Sequence, residues 1–224
     1  MGQRRSPTAP QHAELDRERT RPDDTTHAIH DSQTLCIKHV HEAPATETAW
    51  TVAAYETPVS DRMWVLTATG ATPALVLQDL LTHLADGYGW DTAIGAPVDE
   101  RKVTTATQPL SDAGWKHTVD GRWLRRTSPD EDACVQFDAF TAQHPNQNLA
   151  TWPVWAGPGP DRPTWAITAS PHTPRWLPTD LSESLAHETG THQAQPGREH
   201  KTRLAASTPA APAVAAGRPV SRSR

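Results

Sequence analysis

No run of 18 or more apolar residues occurs anywhere in the 224-residue sequence, so no segment reads as a membrane-spanning helix. The basic pair Arg4-Arg5 is followed by polar and charged residues rather than an apolar core, and a secretory signal is not expected. Cysteine is scarce: Cys36 and Cys134 are too few for a disulfide framework. Both fall in apolar, strand-like runs, where a free thiol behaves as a small buried hydrophobe. A reduced, cytoplasmic setting is therefore expected. Apolar residues amount to 36%, against roughly 45–50% in an ordinary globular domain. A deficit of that size points to a folded middle diluted by polar tails.

The chemistry-bearing motifs are absent as well. There is no Gly-x-Ser-x-Gly elbow, and neither cysteine has flanks that would activate a thiolate. Gly157-Pro158-Gly159-Pro160 lacks the Gly-Lys-Ser/Thr ending of a phosphate cradle. His187 and His192 flank a Glu-Thr-Gly-Thr segment, one residue longer than the spacing that puts two zinc-ligating histidines on one helix face, and Gly190 is expected to interrupt the helix. Cys36, His39 and His41 are near neighbours, but in a strand Cys36 faces away from the two histidines. Acidic clusters such as Asp130-Glu131-Asp132 read as solvated turns. No enzyme, cofactor or metal is expected.

What is present is proline, tryptophan and an uneven charge. Twenty-one prolines argue against long helices, and nine tryptophans argue for a real core, since each can bury roughly 150–250 Å². Residues 1–28 carry five basic and five acidic side chains. Residues 29–187 carry ten basic and nineteen acidic, a net of −9, and residues 188–224 carry six basic and two acidic, a net of +4. The acidic middle disfavours general binding to a phosphate backbone. Residues 1–28 and 189–224 lack apolar periodicity and read as disordered tails.

Self-comparison organises the middle. A shift of 101 positions lays Trp64 on Trp165, Thr67-Ala68 on Thr168-Ala169, Thr72-Pro73 on Thr173-Pro174, Asp79-Leu80 on Asp180-Leu181 and Leu84-Ala85 on Leu185-Ala186, without a gap. Upstream, Trp50 falls on Trp152 with one insertion, and Thr34-Leu35-Cys36-Ile37 lies near Cys134-Val135-Gln136-Phe137. The chain is a duplication: a first unit at 29–88, a linker at 89–107, and a second unit at 108–188.

Each unit has strands followed by one helix. Leu35–Val40, Trp50–Tyr55 and Met63–Ala68 show strand composition and alternation. Thr72 is placed to cap a helix that has Pro73 at its first position, a Leu77, Leu80, Leu81, Leu84 stripe, and Gly87 at its end. In the second unit Arg122-Trp123-Leu124 is a strand, Ser128-Pro129-Asp130-Glu131 a turn, and Pro178 is expected to shorten or displace the helix. The expected class is α+β, each unit an antiparallel sheet with one C-terminal helix.

The order Leu110…Ala113-Gly114-Trp115, Ser128-Pro129-Asp130, Trp165, Thr173-Pro174 and Leu181…Leu185 resembles the domain of unknown function 317 family, which is found in actinomycetes, commonly as tandem copies. The second unit carries the fuller set. The first lacks the Ala-Gly-Trp opening and the Ser-Pro-Asp turn. The resemblance implies no activity, ligand or catalytic residue.

Two binding roles follow. Duplication and abundant tryptophan favour a non-catalytic module that binds another protein. The alternative is weak nucleic-acid binding at Arg122, Trp123, Arg125 and Arg126, where an aromatic flanked by arginines could stack and pair with a single strand, aided by the basic tail with Arg218, Arg222 and Arg224. At Trp64 and Trp165 core packing is expected instead.

Overall fold

Strand-forming sequence in both halves of the chain closes into one sheet. A computed structural model describes residues 15–20, 24–85, 100–143, 150–174 and 176–194. In chain order these form β1 (Leu15–Thr20), β2 (Thr25–His30), β3 (Leu35–Val40), β4 (Thr48–Tyr55), β5 (Arg62–Thr69) and α1 (Ala74–Ala85). Then follow α2 (Glu100–Ala106), α3 (Gln108–Asp112), β6 (Lys116–Asp120), β7 (Trp123–Thr127), β8 (Ala133–Asp138), α4 (Ala139–Gln143), β9 (Trp152–Ala156), β10 (Trp165–Ala169) and α5 (Trp176–Ala194). The spatial order is β1-β2-β3-β4-β5-β10-β9-β8-β7-β6, and every neighbouring pair is antiparallel.

Two five-stranded meanders thus meet along β5 and β10. Thr67 pairs with Thr168, with Ala68 opposite Ile167 and Leu66 opposite Ala169. Those are the residues that the 101-position shift equates, taken in reverse. The two units are related by a local two-fold axis through the Thr67–Thr168 pair. The seam repeats its bonds accordingly: the Ala166 amide donates to Thr69 Oγ1 at 3.0 Å, and the Val65 amide to Ser170 Oγ at 3.0 Å.

Alternation places one side of every inner strand in a single core. Leu35, Ile37, Val52, Ala54, Trp64 and Leu66 pack in one cluster with Val135, Phe137, Trp152, Val154, Trp165 and Ile167. Helices α1 and α5 close this face with Val76, Leu80 and Leu84 and with the equivalent Leu177, Leu181 and Leu185. They also bond each other symmetrically: His83 Nδ1 meets Asp180 Oδ2 at 2.5 Å, and Ser184 Oγ donates to Asp79 Oδ2 at 3.0 Å. Among the described residues no helix is long and apolar enough to cross a membrane.

Several expectations need correction. Residues 1–28 are not a uniform tail, because β1 and most of β2 lie within them; β1 is an edge strand held to β2 by backbone pairing, which needs no apolar periodicity. The supposed linker 89–107 contains α2, and α3 follows at 108–112; Pro109 and the surrounding threonines hide the helical pattern. The fold is more strand-rich than two small sheets each closed by a helix, and the units share one sheet. Pro178 neither shortens nor displaces α5. It lies in the first turn, where the amides have no intrahelical acceptor, and its carbonyl accepts from Ser182 Oγ at 2.7 Å. The helix also continues through Gly190 to Ala194, past the expected boundary at 188.

Thr72 does not cap α1 as expected. Its Oγ1 lies 3.3 Å from Thr69 Oγ1 and 3.5 Å from the Ala166 carbonyl, so it serves the seam. Gly87 lies outside the described residues.

Candidate functional site

The first unit has an open groove between its sheet and α1. Thr26 and Ala28 on β2, Ile37 and His39 on β3, His41 and Trp50 form one wall, and Leu77, Gln78, Leu81, Thr82 and Ala85 form the other. The volume between the walls is about 860 Å³. Register builds the polar end: His39 is directly opposite Trp50 across the β3–β4 pair, and the rings stack at 3.8 Å with 9° between planes. The His41 ring lies 4.2 Å from His39, and His41 Nε2 is 2.7 Å from Thr26 Oγ1. Burial, and then the neighbouring His41, push the His39 pKa down, with Asp24 opposing them. His39 is thus neutral near pH 7, a hydrogen-bonding group on an aromatic platform. The groove has apolar walls and a few polar groups, and among the described residues no lysine or arginine lines it.

In the second unit the corresponding space is filled. Sheet register equates Thr26 with Leu124, Ala28 with Arg126, Ile37 with Val135, His39 with Phe137 and Trp50 with Trp152. The same register equates Cys36 with Cys134, two residues away from the alignment drawn on sequence. The Phe137 and Trp152 rings meet at 4.8 Å, tilted by 55°. Helices α2 and α3 lie over them and bury Val103, Ala106 and Leu110, while Trp115 closes the end. The void left against Val103, Thr107, Leu124, Val135, Phe137 and Trp152 is only about 20 Å³. Arg126 Nε donates to Thr107 Oγ1 at 3.4 Å, and burial lowers the Arg126 pKa.

A family model described as SPDY, a domain of unknown function (DUF317), matches residues 22–90 and again residues 127–191. The chain belongs to that family. Each SPDY segment ends with the long helix of its unit, α1 or α5, whereas α2 and α3 lie between the two matched segments. No curated protein and no solved structure matches the chain.

The four residues singled out on sequence stand just before the second SPDY segment, and the structure does not bring them all together. Arg122 lies over the Trp123 ring, 4.3 Å from its centroid, and its Nη2 is 3.3 Å from Asp138 Oδ2. Asp138 is buried and its other oxygen accepts from the amides of Phe140 and Thr141, which fixes the start of α4. Arg125 Nε donates to Gln136 Oε1 at 2.7 Å, and its Nη1 is 3.9 Å from Asp120. Trp123 and Arg125 share one face of β7. Arg126 points through the other, toward Thr107.

His39 and His41 do share a side of the first SPDY segment, opposite Cys36, as the strand alternation implied. Among the described residues no three metal-ligating groups converge. The groove itself went unread in the sequence. Its signal was the missing Ala-Gly-Trp opening of the first unit, the element that precedes β6 and helps to cover the second.

Proposed function

We propose that the protein is a non-catalytic module that binds another protein, and that the groove of the first unit is its docking surface. One observation carries this reading: of two equivalent faces of one duplicated sheet, α2 and α3 fill the second, while the first, among the described residues, leaves about 860 Å³ between apolar walls. Contiguous concave apolar surface of this kind marks interaction sites. The second unit then serves as the completed half of the scaffold, and the shared seam holds the open half rigid. The free thiols Cys36 and Cys134 fit a reducing cytoplasm. The nucleic-acid alternative rests on arginines that are engaged by Asp138, Gln136 and Thr107.

Affinity capture from native lysate with the full chain and with Leu81→Glu tests the reading. Leu81 is a half-buried groove residue, so a carboxylate there repels an apolar occupant. A protein retained by the wild type and lost with the variant is the expected result. Equal retention, or no specific retention by either, contradicts the reading.

A further inference from the structure

We infer that the occupant of this groove is a bent, amphipathic helical segment of the partner, shaped like α2–α3. The inference rests on the protein-binding reading and names the partner's chemistry. Its template is internal. Across the local two-fold axis the same wall of sheet and helix is covered by residues 100–112, a helix interrupted at Thr107. That cover buries Val103 and Ala106 on α2 and Leu110 on α3. A helix laid on an apolar groove with such anchors is a recurring mode of protein recognition.

The differences between the two walls specify how the partner differs from the template. Ala28 replaces Arg126, so the first unit lacks the guanidinium that lies beside Thr107 in the second, and a larger apolar side chain suits that position. His39 replaces Phe137 and Thr26 replaces Leu124, so the partner places a hydrogen-bonding side chain at that end, where the second unit's sheet offers two apolar side chains. Among the described residues no lysine or arginine lines the groove, so the lining makes no demand for an acidic partner.

The probes are two synthetic peptides of residues 100–115, one native and one carrying Thr107→Leu, titrated into isotope-labelled full-length chain. The expected result is saturable shifts at His39, Leu81 and the Trp50 indole N–H. The leucine peptide should bind roughly tenfold tighter, since it buries additional apolar surface against Ala28. Leu81→Glu and, at an exposed position that leaves the core intact, Thr82→Arg should each abolish those shifts.

The absence of groove shifts with both peptides overturns the inference, as do shifts confined to Leu124 and Phe137, where a peptide would merely replace the chain's own α2–α3. A groove already filled by residues 86–99 or by a second copy gives no response and overturns it too. If the peptides fail while capture still depends on Leu81, the helical template falls and the protein-binding reading stands.

Discussion

The hydroxyls of Thr67 and Thr168 lie 2.7 Å apart, 101 residues apart in sequence and directly opposite in the sheet. One residue has met its own duplicate. The bond sits on the axis that converts the first unit into the second, and the backbone ladder of β5 and β10 runs through it.

That position sets an expected pattern of stability. A single Thr67→Val or Thr168→Val change leaves the other hydroxyl without its partner and should cost about 1 kcal/mol. The double change removes both polar groups and suits a strand, so it should cost no more than either single one. A urea double-mutant cycle reads this directly; strictly additive losses contradict the paired arrangement.

Asp180 ties α5 to α1 through His83. Burial raises its pKa above the ordinary aspartate value, His83 lowers it, and Glu183 and Asp79 add further upward pressure, with a net upward shift. Folding therefore favours the protonated acid. That contribution is present below the unfolded-state pKa and is lost as pH rises through the folded-state pKa. Asp180→Asn stays neutral throughout, so its stability relative to the wild type should improve as pH rises from below the ordinary aspartate pKa of about 3.9 through the raised folded-state value. Denaturation midpoints at each pH check this. A relative stability that worsens over the range contradicts it.

The thiols should differ in reactivity. Burial pushes the Cys134 pKa up to about 11, with bonding to Thr127 and the charge of Arg125 opposing. Roughly one Cys134 in a thousand is then thiolate at pH 8. Cys36 is shifted upward too, by burial against a smaller opposing effect of Lys38, but it is only half-buried. A thiol-exchange reagent at pH 8 should titrate Cys36 slowly in the native protein and reach Cys134 only on denaturation. Equal native rates would contradict the buried placement of Cys134.

The duplication was legible because its markers are packing residues. Trp64, Leu80 and Leu84 recur at a constant shift because their counterparts occupy the same core positions, and an insertion there would break register on both sides of the axis. Thr67 and Thr72 recur for a reason the sequence conceals: both make polar contacts at the seam, where a helix cap alone was expected at Thr72. The edge strand β1 was illegible because its Asp16-Arg17-Glu18-Arg19 run is held by backbone bonds to β2, which carry no side-chain pattern. Helix α3 was obscured by Pro109, which is tolerated because it stands at the helix start. The groove could not be read from its own residues. His39 and Trp50 look like ordinary strand positions, and they gain their meaning only by comparison with the α2–α3 cover described in the other unit.

The central claim is that the two equivalent helix faces differ in what covers the sheet beside them. Photo-crosslinking in the native host, from a reactive side chain placed at Thr82 or at its duplicate Glu183, tests it most directly; both positions are exposed. The account predicts a protein adduct from position 82 that Leu81→Glu abolishes, and none from position 183. Equal adducts at both positions, or none from position 82, would contradict it.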